Sequence, residues 1–139
     1  MKSVKLAYPI RDSDFISAGE ASSMTKKALA RLGVPPQIIK RAAIAMYEAE
    51  INVVIHANGG TAETEIFPDH IRICVLDNGP GIPDVELAMQ EGWSTASDTA
   101  REMGFGAGMG LPNIKRNADE MSIDTRIGEG TKITIIIRF

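Results

Sequence analysis

One stretch of this sequence sets an acceptor-only carboxylate directly ahead of two glycines: Leu76-Asp77-Asn78-Gly79-Pro80-Gly81-Ile82. The residues before it, Ile71-Arg72-Ile73-Cys74-Val75-Leu76, alternate and are rich in β-branched types, which predicts a strand. Asp77 then stands at a rigid strand end, and the glycines let main chain come close to a flat ligand. An acceptor so placed suits an exocyclic amino group such as that of adenine. Taken alone, the stretch reads better as a tight turn with an Asp at its start.

Two further sets of residues could do chemistry. Glu48 and Asn52 are spaced i, i+4 and share one face of a predicted helix, with His56 continuing their row. The Asn oxygen is a hard ligand fit for Mg²⁺, which commonly takes one or two protein ligands together with phosphates and water. A carboxylate beside it could take the proton from an attacking hydroxyl or water. By itself the pair reads better as a solvated Glu and a helix-surface Asn. The other set is the alternate glycines Gly104, Gly106, Gly108 and Gly110, which lead into a helix. The free N–H groups and dipole of a helix start favour phosphate oxygens. No Gly-Lys-Ser/Thr follows, so this is not a Walker A loop. The spacing is not that of a Rossmann fingerprint, and no strand immediately precedes it. Such glycines alone are more often a mobile loop.

Whatever positions these groups is one modest domain. The 139 residues suffice for one real core and leave no comfortable room for two, so residues 1–139 are expected to form a single domain. With 44% hydrophobic and 24% charged residues the chain has ordinary globular composition. A net charge of −3 and a pI near 5.4 give no reason to expect a nucleic acid or an anionic membrane as partner. Cys74 is the single cysteine, which rules out an internal disulfide and fits a reducing compartment. It falls in a predicted buried strand, where a packing role is expected. The first residues lack a signal-peptide pattern and no apolar run spans a bilayer. A cytoplasmic protein is the expectation.

In chain order, Val4 to Tyr8 predicts a first strand. Asp12 or Ser13 could cap a helix running to about Leu32, ended by Gly33 and separated from the next by Pro35-Pro36. From Gln37 to about Ala57 the recurrence of Ile39, Ala42, Met46, Ala49 and Val53 predicts a second helix with one apolar stripe. Glu50 points to that apolar side at helical spacing, and the sequence offers no account of it. Thr61 to Phe67 and His70 to Leu76 predict a hairpin through Pro68-Asp69, with His70 exposed at its turn. Val85 to Gln90 predicts a short helix. Residues 91–110 have little periodicity, as segments that cover ligands often do. A helix from about Leu111 to Met121 follows, with Pro112 in its first turn. Ile123 to Ile127 and Lys132 to Phe139 predict the last strands. The order implies an α/β (α+β) chain, a two-layer sandwich with helices on one face of a mixed or antiparallel sheet.

The pieces carry more together than apart. Glu-x-x-x-Asn on a helix, Asp-x-Gly-x-Gly after a strand, a long irregular segment, a glycine-rich turn into a helix and Gly-x-Gly-Thr before the last strand occur in that order. This order, over roughly residues 40–139, resembles the GHKL ATPases, the Bergerat-fold superfamily of gyrase, heat-shock chaperones, histidine kinases and mismatch-repair proteins. Within it the chain is most similar to the small bacterial anti-sigma-factor and switch serine kinases. Tyr47-Glu48-Ala49-Glu50-Ile51-Asn52 with His56 fits their helix motif. Glu91-Gly92-Trp93-Ser94-Thr95 and the run from Gly106 through Leu111-Pro112 to Lys115-Arg116 look like the lid and phosphate turn of the switch-kinase branch.

The resemblance implies ATP and Mg²⁺ as cofactors and gives each residue a role. Asn52 would bind Mg²⁺ that bridges the ATP phosphates, and Glu48 would be the general base for a serine or threonine hydroxyl on a small regulatory partner protein. His56 would belong to the ATP-binding helix. Asp77 would accept from the adenine amino group, supported by Thr131. Gly79 and Gly81 would admit the base, and Ile82 would pack against it. Gly104, Gly106, Gly108, Met109 and Gly110 would wrap the phosphates. Glu50 departs from the pattern, where a small residue would pack better, and Ser97 to Met103 stretch the lid. Trp93 and Phe105 could anchor the lid or meet a partner, and Arg101 could reach a phosphate. The resemblance admits a sigma factor as a further partner and a homodimer as an assembly. Two other readings stay open: a nucleotide-dependent binding module without turnover, and the catalytic domain of a histidine kinase, for which the chain has no dimerisation hairpin.

Overall fold

A computed structural model describes residues 3–10, 19–56, 59–82, 85–89 and 110–139, with the backbone alone for Ile55 and His56. The described elements are β1 (Val4–Ile10), α1 (Glu20–Arg31), α2 (Pro36–His56), β2 (Gly60–Ile66), β3 (His70–Asp77), α3 (Val85–Ala88), α4 (Gly110–Asn117), β4 (Glu120–Arg126) and β5 (Gly130–Arg138). The strands form one sheet in the order β1-β2-β3-β5-β4, and every neighbouring pair is antiparallel. The choice between a mixed and an antiparallel sheet is thus resolved in favour of the latter.

Alternation explains why the helices lie on one face. Ile71, Ile73 and Val75 of β3 and Ile133, Ile135 and Ile137 of β5 point the same way and are buried. They share a core with Ala42, Ala45, Met46, Ala49 and Val53 of α2, the stripe read from the sequence, and with Leu29 of α1 and Ile114 of α4. The other face of the sheet carries Glu63, Glu65, Arg72 and Cys74. Glu65 there accepts from Ser3 Oγ at 2.7 Å and from Arg72 at 2.8 Å. Cys74 lies on this face too, half-buried, with its Sγ 3.7 Å from Thr134 Oγ1, so it packs against a neighbouring strand and not in the core beneath the helices.

Several boundaries differ from expectation. The cap expected at Asp12 or Ser13 falls outside the described residues, and α1 as described opens at Glu20 behind Gly19. Its far end follows expectation: Gly33 adopts φ +77°, and the Gly33 and Val34 N–H groups return to the Ala30 and Leu29 carbonyls, closing a Schellman motif. The last helix stops at Asn117, and Met121 belongs to β4. Tertiary contacts end it. The Asp119 N–H donates to the Ile136 carbonyl at 2.9 Å, and its carboxylate accepts from Arg41 at 3.2 Å and from the Arg138 N–H at 2.7 Å. His70 is half-buried rather than exposed, because its ring stacks on Phe67 with centroids 4.3 Å apart.

Candidate functional site

Topology gathers the chemistry at one end of the sheet. β3 delivers Asp77 at its last residue, and Asp77 pairs across the ladder with Gly60, the first residue of β2. Only residues 57–59 separate Gly60 from the end of α2, so the last turn of that helix, which carries Asn52, lies at the same end. β5 starts there with Gly130-Thr131, and α4 starts there with Gly110 against Asn52.

Asp77 is held by backbone. The Gly79 and Thr131 N–H groups donate to its Oδ1 at 2.9 and 3.2 Å. The first of these is an Asx turn, so the plain reading of the motif as an Asp-headed turn is also correct. Both bonds fall on one oxygen, which fixes the direction of the carboxylate. The loop that follows is strapped to the β4–β5 hairpin. The Gly128 N–H donates to the Pro80 carbonyl at 2.9 Å, and the Ile82 N–H donates to Thr125 Oγ1 at 2.8 Å. Thr125 and Thr131 share a hydroxyl hydrogen bond at 2.9 Å. Two glycines are required by this closeness. Gly81 has φ +84°, and a Cβ there would stand 2.6 Å from the Arg126 carbonyl oxygen. Gly130 has φ +126°, and a Cβ there would stand 2.1 Å from the Asp77 carbonyl oxygen. Such approach of bare backbone to the Asp77 strand end makes a thin, side-chain-free wall suited to a flat heterocycle.

At the other end of the site α2 meets α4. A Cβ on Gly110 would lie 3.0 Å from Asn52 Oδ1 and 3.2 Å from its Nδ2, so the amide rests on the first residue of α4. Glu48, one turn earlier, is half-buried. Burial pushes its pKa above the ordinary 4.5, with the nearby Asn113 side chain opposing the shift. An Asn oxygen beside a glycine at a helix start, one turn from a carboxylate, is a donor set that fits a phosphate-bound Mg²⁺ and a base. Among the described residues no group of three or more His, Cys, Asp or Glu side chains could hold a metal by itself.

Glu50, which the sequence left without an account, has a full one. Its side chain is 3% exposed, and its carboxylate accepts from the Gly19, Ala21 and Ser22 N–H groups at 2.9, 3.3 and 3.2 Å. A residue of α2 thus caps the start of α1, where the Gly19 position itself supplies no side chain. Burial nonetheless leaves its pKa raised, the three N–H groups opposing the shift. The idea that a small residue would pack better here is wrong, because the orphan donors of α1 need an anion.

Of the expected site residues, Asp77, Gly79, Gly81, Ile82 and Thr131 come together at the strand end, and Glu48, Asn52 and Gly110 at the helix junction. Gly104, Gly106, Gly108 and Met109 lie outside the described residues, as do Trp93, Phe105, Arg101 and the stretched segment 97–103. His56 is described in backbone only, as the last residue of α2. Sequence reasoning missed Thr125 and the role of Glu50. A signal for Thr125 existed, since a hairpin through Gly128-Glu129-Gly130 places Thr125 opposite Thr131.

Comparison with known proteins agrees with this geometry. Residues 13–137 match the family described as histidine kinase-like ATPase domain. The chain is 36% identical over 100 residues to the serine/threonine-protein kinase RsbT of Bacillus subtilis, covering 69% of each chain. It is 29% identical over 136 residues to an anti-sigma F factor of Clostridium beijerinckii, covering 91% of this chain and 92% of that one. Among solved structures, the RsbU and RsbW domains of a Mycobacterium tuberculosis protein superpose over 99% of the chain with TM-score 0.64 at 17% identity. The chain spans 32% of that longer protein, and the likeness is one of fold.

Proposed function

This chain belongs to the histidine kinase-like ATPase family, and from that premise we propose that it is an ATP- and Mg²⁺-dependent serine/threonine kinase of the anti-sigma or switch type. Its substrate would be a serine or threonine hydroxyl on a small regulatory protein. One observation carries the proposal: a backbone-fixed carboxylate and a helix bearing Glu48 and Asn52 converge on one end of the sheet. The names of the relatives, a serine/threonine kinase and an anti-sigma F factor, support it.

The residues divide the work. Asp77 accepts from the exocyclic amine of adenine, with the Thr131–Thr125 hydroxyl pair beside it on the same edge. Gly79, Gly81 and Ile82 line the base. Asn52 would hold Mg²⁺, which would supply charge neutralisation at the phosphates, and Gly110 leaves room for the Asn52 amide at the start of α4. The run from Gly104 through Met109 completes the phosphate turn, and His56 closes the ATP-binding helix. Glu48 takes the proton of the attacking hydroxyl. Its burial makes it a stronger base than a solvated carboxylate, as that task needs.

The test is transfer of labelled γ-phosphate from ATP to a candidate partner encoded beside this gene. Acid-stable phosphoserine or phosphothreonine on the partner is the expected product. Absence of transfer by the wild type, or undiminished transfer by Glu48→Ala, contradicts the proposal. A second reading is favoured by the anti-sigma relatives: ATP sets the affinity for a regulator, a sigma factor included, without turnover. Partner affinity that follows ATP while no phosphoprotein forms selects it.

A further inference from the structure

A hydroxyl has one hydrogen to give and two lone pairs to offer, so its neighbours decide which of these a ligand meets. Thr131 stands beside Asp77 at the start of β5, 8% exposed, and its N–H donates to Asp77 Oδ1 at 3.2 Å. Across the ladder it faces Thr125 of β4, and the two hydroxyl oxygens lie 2.9 Å apart. Thr125 is engaged on a second side. Its Oγ1 accepts the Ile82 N–H at 2.8 Å, which occupies one lone pair. Its single hydrogen then has two acceptors within reach, Thr131 Oγ1 at 2.9 Å and the Gly130 carbonyl at 3.4 Å. Ordinary O–H···O bonds run from about 2.5 to 3.0 Å, so the hydrogen goes to Thr131. Thr131 thereby accepts from Thr125, its only hydroxyl partner among the described residues, and keeps its own hydrogen for a ligand.

That polarity matters at a purine. The exocyclic amine of adenine is flanked by two ring nitrogens that accept, N1 and N7, whereas guanine carries a carbonyl oxygen in place of the amine and an N–H at N1. An acceptor for the amine with a donor beside it matches the adenine edge. Both backbone bonds to Asp77 fall on Oδ1, which leaves Oδ2 for the amine. We propose that Thr125 is a positioning residue for base recognition: it fixes the Thr131 hydroxyl as a donor toward the ring nitrogen beside the amine. The inference rests on the reading of Asp77 and Thr131 as adenine contacts and adds the group that sets the sign of the second one. Without the Thr125 hydroxyl, Thr131 is free to turn a lone pair toward the base, and the match at the ring nitrogen is lost. The same Thr125 oxygen holds the Ile82 backbone, so the loop that lines the base and the hydroxyl that reads it are fixed at one point.

Calorimetric titration of the full chain with ATP and with its 1-deaza and 7-deaza analogues, in which a C–H replaces one ring nitrogen, tests this without any partner protein. Wild type binds at least one analogue about tenfold more weakly than ATP, the loss expected when one buried donor goes unmet. In Thr125→Val, which keeps the shape and removes the hydroxyl, that ratio falls below about threefold, whatever becomes of the affinity for ATP itself. A merely structural Thr125 would weaken ATP and analogue alike and leave the ratio at its wild-type value. Thr125→Ser keeps a hydroxyl and restores the ratio. Thr125→Ala lacks the hydroxyl too and is held to the same expectation, so that failure of the Val variant to fold does not shield the inference. Wild type that binds ATP and both analogues equally, or a Val or Ala variant with the wild-type ratio, overturns this inference alone. Wild type that binds no adenine nucleotide overturns the proposed function, and this inference with it.

Discussion

Helix α2 has two neighbours, and it meets them in opposite ways. Toward α1 it sends Glu50, which is buried and accepts three backbone N–H bonds. Toward α4 it sends Glu48 and Asn52, which are half-buried, and Gly110 of α4 lies against the Asn52 amide. The two carboxylates stand two residues apart on one helix. Glu50 has spent its acceptor capacity on the fold, and Glu48 stands one turn from the contact of Asn52 with Gly110. A buried carboxylate whose hydrogen bonds all go to backbone serves the fold, and one at a helix junction beside a glycine is placed to serve a ligand.

Substitution should separate the two sides sharply. The largest effect expected is on activity at the α4 side: Glu48→Gln lowers phosphoryl transfer by about 10²–10⁴-fold, with its denaturation midpoint close to wild type. Loss of stability without loss of rate would break the contrast. Next comes the α1 side. Glu50→Ala leaves the α1 donors without a partner and costs about 2–4 kcal/mol, by the penalty for orphaned buried groups, read from urea unfolding. A Glu50→Ala protein as stable as wild type would show that water replaces the cap freely.

The smallest effect sharpens the comparison through pH. Burial raises Glu48 above 4.5, so the folded state holds that proton more tightly than the unfolded chain does. Its contribution to stability is therefore full below about pH 4.5 and is lost as pH rises through the folded value. Glu50, raised in the same direction, adds to the same slope. Unfolding free energy measured across mildly acidic pH should fall less steeply with rising pH in Glu48→Gln than in wild type. An identical slope in the two proteins contradicts the raised value.

Sequence patterning carried much of this. The alternation of Ile71, Ile73 and Val75 and the three-and-four spacing from Ile39 to Val53 encode the sheet face and helix stripe directly, because burial alone sets those periods. The Asp77 turn was legible because its partners are local or sit in an adjacent hairpin. Glu50 was not, because its partners are main-chain groups of another helix, about thirty positions back, which no side-chain pattern marks. The end of α4 was hidden for the same reason. Asp119 is claimed by Arg41, 78 positions away, and by the β5 backbone, and these outweigh local helix propensity.

The most direct measurement is calorimetric titration of folded protein with ATP, with and without Mg²⁺, on wild type, Asp77→Ala and Asn52→Ala. The account predicts that wild type binds, that Asp77→Ala loses adenine nucleotides under both conditions, and that Asn52→Ala loses the part of the affinity that Mg²⁺ adds. Wild type that takes up no adenine nucleotide, or an Asp77→Ala protein that binds as well as its parent, would contradict it.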